Sequence, residues 1–292
     1  MNKYKKIGLT ALAGSLVATS AFAGELGVSG SGELDNGMTV SLSFELDQGD
    51  DDTAASAAYS GGPFDGHSVS ISSDTLGKLT LYGEGGKSST ALYDTSAAGD
   101  LWDNYDAEDG IEPEETGTAD NMLLYTLPSF VDGLSLNASY EPTKGGVASA
   151  TQFGASYSGI DGLTVSYATG DDSDAQSDPS TGTVLKASYA YGPVTLAYSD
   201  YEYDKTGNTG SIDMNGYKVT YTVNDEISLA YASEELDEVG KAETASYDEV
   251  SVSYTTGGMT LSASMGEADN RDGTTTATMD NERWYLGASF AF

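Results

Sequence analysis

The 292-residue sequence predicts an all-β fold: a transmembrane, antiparallel, up-and-down β-barrel of about 16 strands, with a long acidic loop folded into its lumen. Three observations predict it. Short runs through nearly the whole chain alternate apolar with small polar residues, as strands with one buried face do. The connections alternate between short Gly-bearing turns and longer carboxylate-rich loops, the rhythm of a barrel with turns on one membrane side and loops on the other. Finally, residues 87–120, KSSTALYDTSAAGDLWDNYDAEDGIEPEETGTAD, interrupt the strands with ten carboxylates against one cation, Lys87. Insertions of that length are disordered or functional, because ordinary connections are far shorter.

Residues 1–23 read as a cleaved signal peptide. Lys3, Lys5 and Lys6 precede an apolar run from Ile7 to Ala18, and Ala21-Phe22-Ala23 is a small-x-small site that places cleavage between Ala23 and Gly24. Residues 24–292 are then the barrel domain, with 86–119 the loop that narrows it. There is no cysteine, so disulfides contribute nothing. No stretch after Gly24 approaches the ~20 apolar residues of a membrane helix. A barrel needs none, and its polar lumen fits the mean hydropathy of −0.31. The formal charge of −34 argues against nucleic acid as a partner, since phosphates would be repelled.

From Gly24 the chain forms two strands, GELGVSGSGEL and MTVSLSFEL, around Asp35-Asn36-Gly37, because Asn-Gly between alternating runs is a strong hairpin signal. An acidic segment with Asp50, Asp51 and Asp52 and a weak strand candidate from Ala54 to Tyr59 follow. Next come HSVSISS and KLTLYGE around Asp74 to Gly77. After the acidic loop lie eleven further runs: NMLLYTL, LSLNASYE, ATQFGASYS, LTVSYAT, VLKASYAY, VTLAYSDYEY, DMNGYKVTYTV, ISLAYAS, YDEVSVSYT, MTLSASMGE and ERWYLGASFAF. Fifteen strands are clear, and sixteen are expected because single-chain bacterial barrels usually have an even number. The long loops fall at Asp171 to Gly182, Asp204 to Asp213, Glu234 to Thr244 and Glu267 to Asn281. Tyrosines near strand ends (Tyr82, Tyr125, Tyr140, Tyr157, Tyr167, Tyr198, Tyr221, Tyr231, Tyr254) suit an interfacial girdle, and the opposite face is Ser, Thr, Ala and Gly with occasional charge.

Parity assigns the candidate site. If Leu79 and Leu81 face lipid, Lys78 faces inward, and the same reasoning turns Lys186, Lys218 and Arg283 inward. A cation on the lipid face would cost ~2–4 kcal/mol at the midplane, so inward placement is expected even without a function. Opposite them, Asp100, Asp103, Asp106, Glu108 and Asp109 are the candidate constriction carboxylates, and rings of Asp and Glu favour cations. The competing reading leaves the acidic stretch outside as a solvated loop. Asp171, Asp172 and Asp174 are candidate Ca2+ ligands. They lack the EF-hand's glycine and final Glu, so solvated loop charge competes there too. No cofactor and no catalysis are expected: the one histidine, His67, has no serine nucleophile elbow, and no phosphate loop or Cys/His metal set is present.

With the signal segment, the acidic loop a third of the way along, the following ADNMLLYTLP and the aromatic strand ending in Phe292, the chain resembles the Rhodobacter-type general porins of alphaproteobacteria. SGELDNGMTVSLSFEL, KLTLYGE and RWYLGASFAF carry the resemblance most specifically. The resemblance implies a 16-stranded barrel in the Gram-negative outer membrane, a homotrimer in outer-membrane lipid, whose third loop narrows a passive diffusion channel. It also implies that the terminal strand ending in Phe292 is read by the outer-membrane assembly machinery. A substrate-specific channel and a non-channel surface barrel or adhesin stay open as alternatives on the sequence.

Overall fold

The computed structural model of the chain describes residues 26–46, 66–105, 111, 118–119, 121–142, 148–171, 180–207, 210–275 and 280–290. The expected signal segment with Ala23 and Gly24, the strand candidate at 54–59, Asp106, Glu108, Asp109, Asp172 and Asp174 lie outside them. The strands are β1 (Leu26–Glu33), β2 (Thr39–Leu46), β3 (Gly66–Ser73), β4 (Gly77–Glu84), β5 (Gly86–Lys87), β6 (Thr118–Ala119), β7 (Met122–Thr126), β8 (Leu134–Glu141) and β9 (Ala150–Ile160). They continue as β10 (Leu163–Asp171), β11 (Ser180–Tyr191), β12 (Val194–Lys205), β13 (Ile212–Thr222), β14 (Ile227–Glu238), β15 (Ala245–Thr256), β16 (Met259–Asp269) and β17 (Asn281–Phe290). All but β5 and β6 form one 15-stranded sheet in which each strand pairs with the next in sequence. Every pairing is antiparallel.

Local chemistry sets the turns. At the first hairpin the Leu34 amide donates to the Met38 carbonyl at 2.7 Å. The Met38 amide donates to Asn36 Oδ1 at 3.1 Å, and Gly37 takes φ 80°, a conformation cheap only without a Cβ. Gly77 is constrained further: at φ +77° its Cβ would lie 2.2 Å from the Thr126 carbonyl oxygen of β7.

Because side chains alternate along a strand, the register sorts the sheet into two faces. Leu42 pairs with Val69, Val69 with Leu81, and Leu81 with Leu123, which makes one face aliphatic and aromatic. Trp284 and Leu286 on that face are 78% and 70% exposed, so no other part of the described chain covers it. Along β1 to β4 the other face carries Ser29, Ser43, Ser68, Ser70 and Thr80.

Toward the long loops the pattern inverts. In β12, Leu196 and Tyr198 lie on the apolar face, but Tyr201 and Tyr203 lie on the other, buried with Ile212, Met214, Leu236 and Tyr247. Beyond Tyr198 the formerly apolar face turns acidic, with Glu202 opposite Asp213 and Asp213 opposite Asp237. Tyr198 and Tyr231 hydroxyls mark the change by donating to Asp200 at 2.9 Å and Asp248 at 2.6 Å. The second face is therefore not small and polar throughout. Strands also run further than the sequence suggests: Gly182 and Glu234, expected in loops, belong to β11 and β14. The buried apolar residues at those ends give the longer ladders something to pack on. Tyr82 is an exception to the girdle, since its register partner Ser68 places it on the polar face.

Candidate functional site

The site is the segment between β4 and β7. A two-stranded neck closes it, with Gly86 paired to Ala119 and Lys87 to Thr118. From the neck the chain crosses the non-apolar face of the sheet, held at each step by a sheet side chain. The Ser89 amide donates to Ser139 Oγ of β8 at 3.0 Å. Thr90 donates to Gln152 of β9 from its amide at 3.1 Å and its hydroxyl at 2.6 Å. Asn137 Nδ2 donates to the Tyr93 hydroxyl at 2.9 Å, the Lys186 ammonium of β11 to the Thr95 carbonyl. The Ala97 amide donates to Ser199 Oγ of β12 at 2.7 Å.

A short 3-10 helix, Leu101–Tyr105, follows and lies over β14 and β15. Its Trp102 amide donates to Glu234 Oε2 of β14 at 3.1 Å, and that carboxylate is fully buried. The carbonyls at the helix's end have no intrahelical partners. Arg283 Nη1 of β17 donates to the Asn104 carbonyl at 3.1 Å, and Arg271 Nη1 to the Tyr105 carbonyl at 3.0 Å. The Arg283 guanidinium also sits 5.9 Å from the Tyr105 ring centroid, and Tyr105 packs on Tyr247 at 5.6 Å. Ala98, Leu101 and Ile111 complete an apolar core with the inverted strand ends, with Trp102 and Tyr105 packed against it.

Strand glycines make this approach feasible, since backbone comes close where a side chain is missing. A Cβ at Gly216 would lie 3.2 Å from Ser96 Cβ and 3.3 Å from the Ala98 amide nitrogen. One at Gly154 would lie 2.9 Å from the Tyr93 ring, and one at Gly266 2.9 Å from the Tyr105 hydroxyl.

Of the anticipated carboxylates, Asp100 and Asp103 are described. Asp100, at φ 53°, accepts from the Ser96 amide at 2.7 Å. The Ser96 hydroxyl oxygen in turn accepts from the Gly99 and Asp100 amides, each at 3.0 Å. Burial pushes the Asp100 carboxyl above the usual aspartate range, opposed by its hydrogen bonds from Ser96 and by the nearby Lys186 charge. Asp103 is exposed. Burial likewise raises the Tyr105 hydroxyl, with Arg283 opposing.

Of the anticipated cations, Lys186 and Arg283 lie against the loop and donate to its carbonyls. Lys78 is exposed on β4 and Lys218 is half-buried on β13 between Ala197 and Ala232. Asp171 sits exposed at the end of β10, its carbonyl accepting from Gln152 Nε2 at 3.1 Å. Among the described residues no group of three or more His, Cys, Asp or Glu is arranged to hold a metal. Sequence reasoning missed Glu234 and Arg271. Glu234 reads as one more loop carboxylate, although Leu236 two residues on carries the apolar parity of a loop-facing row. Arg271 meets Tyr105 across 166 positions, and no local pattern signals that.

The family described as Gram-negative porin matches residues 13–292. Among solved structures, a triple mutant of the Rhodobacter blastica porin is similar over 92% of this chain and 89% of that one, with TM-score 0.61 and 16% identity. A double mutant of the same porin gives TM-score 0.61 and 16% identity over 92% and 89%. A loop L8 deletion mutant of OmpT, an outer membrane protein of Vibrio cholerae, is similar over 91% of this chain and 89% of that one, with TM-score 0.59 and 15% identity. No curated protein sequence matches the chain.

Proposed function

The chain belongs to the Gram-negative porin family and is an outer-membrane β-barrel protein, and from that premise we propose that it is a passive diffusion channel for ions and small hydrophilic solutes, weakly to moderately cation-preferring. The observation that carries this reading is the acidic loop, bonded strand after strand across the polar face of the sheet. In the proposed arrangement β1 closes toward β17, removing two unpaired edges that lipid would not tolerate. The polar face becomes the lumen, and the loop narrows it.

Selectivity follows from how the charges are used. Lys186, Arg271 and Arg283 donate to loop carbonyls, so their hydrogen bonds hold the loop in place. Asp103 stays exposed, and Asp106, Glu108 and Asp109 follow it in sequence. A passage rimmed by carboxylates favours cations. Lys78, on a strand to which none of these loop bonds run, is the wall cation on the far side of the passage. The proposed assembly is a homotrimer, reached through the machinery that reads the aromatic sequence from Trp284 to Phe292.

Planar bilayers test the reading. Detergent-extracted protein should produce stable conductance steps, and solute flux should rise linearly with concentration. Saturable block by one solute would replace this reading with a substrate-specific channel. Absence of steps from folded protein would remove the channel.

A further inference from the structure

Both arginines of the chain end on the loop, but they come from different places. Arg283 reaches out from within β17, whereas Arg271 belongs to the connection between β16 and β17 and is only 1% exposed. Its Nη1 donates to the Tyr105 carbonyl at 3.0 Å, and its own carbonyl accepts from the Ile111 amide at 2.6 Å. With the Asn281 amide turned so that its oxygen faces the guanidinium, Nη2 donates to it at 2.8 Å. One residue therefore joins the end of the helix, the returning half of the loop and the first residue of β17. A guanidinium presents its donors in a rigid planar fork, and burial requires that they stay satisfied. What moves Arg271 must move its partners.

The connection that carries Arg271 is itself held by its neighbour. The Ala242 and Glu243 amides, between β14 and β15, both donate to the Gly273 carbonyl at 3.0 Å. Gly273 has φ +69°, and a Cβ there would fall 2.5 Å from Lys241 Cβ. Asp272 closes the turn by accepting from the Thr274 amide at 3.0 Å and hydroxyl at 2.7 Å. The two connections thus form one tied unit.

We propose that Arg271 is a positioning residue that couples the connections 239–244 and 270–275 to the helix Leu101–Tyr105, so that displacing those connections shifts the helix and changes the width of the passage. The proposal rests on reading the loop as the constriction.

The chain has no cysteine, so Asn104→Cys, exposed on the helix, accepts a single spin label. The label's mobility and the single-channel conductance are recorded in that parent, in Gly273→Ala, in Arg271→Lys, in Arg271→Ala and in the Gly273→Ala pairings. Gly273→Ala pushes against Lys241 and should shift both readouts in the parent. Removing Arg271 should free the label and abolish the further effect of Gly273→Ala, a non-additivity that a merely stabilising side chain would not produce. Arg271→Lys keeps the charge but loses the fork and should also uncouple, so the test survives if Arg271→Ala fails to fold. An effect of Gly273→Ala that is the same with and without Arg271, or a label indifferent to both, overturns the proposal. Coupling seen by the label without conductance steps would uphold the positioning role and remove the channel reading. Steps without coupling would do the reverse.

Discussion

Replacing Gly216 by valine should lift the loop off the sheet. A Cβ at this position would already sit 2.9 Å from Ser199 Oγ, 3.2 Å from Ser96 Cβ and 3.3 Å from the Ala98 amide nitrogen, all tighter than ordinary contact. Valine adds two methyls beyond that point. Overpacking of this kind costs about 1–3 kcal/mol. The Ala97 amide would also lose its 2.7 Å bond to Ser199, worth about 0.5–1.5 kcal/mol. Together roughly 1.5–4.5 kcal/mol is removed from docking, a ~10- to 2000-fold rise in the undocked population. The assay is protease nicking within residues 88–105 of protein in outer-membrane vesicles, read beside single-channel conductance. Gly27→Val is the control, because nothing lies within 4 Å of its Cβ. Equal nicking and equal conductance for Gly216→Val, Gly27→Val and the unaltered chain would refute the docked loop.

Two further predictions concern charge and facing. Because burial raises Asp100, its contribution to docking is fully present below the ordinary aspartate range and is lost as pH rises through its own value. Asp100→Asn should flatten the pH dependence of nicking between those limits, and an unchanged slope would show that Asp100 is not the titrating group. Leu196→Lys, on the apolar face, should destabilise the barrel by ~2–4 kcal/mol if that face meets lipid near the midplane, while Ser188→Lys on the other face should be tolerated. Denaturant unfolding in bilayers compares them, and equal losses would contradict the assignment of the faces.

Much of the architecture is legible because barrels are built from local signals. Asn36-Gly37 declares its hairpin, each Gly-bearing turn restarts the alternation, and Lys78 alternates with Leu79 and Lys186 with Leu185 along paired strands. The site is less legible, and β12 shows why. Leu196 and Tyr198 alternate in one phase, Tyr201 and Tyr203 in the other, with an Asp between them. Read as a row of tyrosines, this suggests only a girdle. Read as a change of phase, it announces that something apolar packs on the strand's other face. β13, β14 and β15 repeat the change. What packs there comes from Leu101, Trp102 and Tyr105, whose apolar character is diluted among the carboxylates of the loop. Glu234 and Arg271 depend on contacts between positions over a hundred residues apart, which no window of sequence displays.

The most direct measurement is the reversal potential of the purified protein in a planar bilayer under a salt gradient, compared with a variant in which Asp100, Asp103 and Asp106 become Asn and Glu108 and Asp109 become Gln or Asn. The account predicts a potential of the sign that marks cation preference in the unaltered chain, and a shift toward zero with higher conductance in the variant. Identical potentials and conductances in the two proteins would contradict a loop whose carboxylates line the passage.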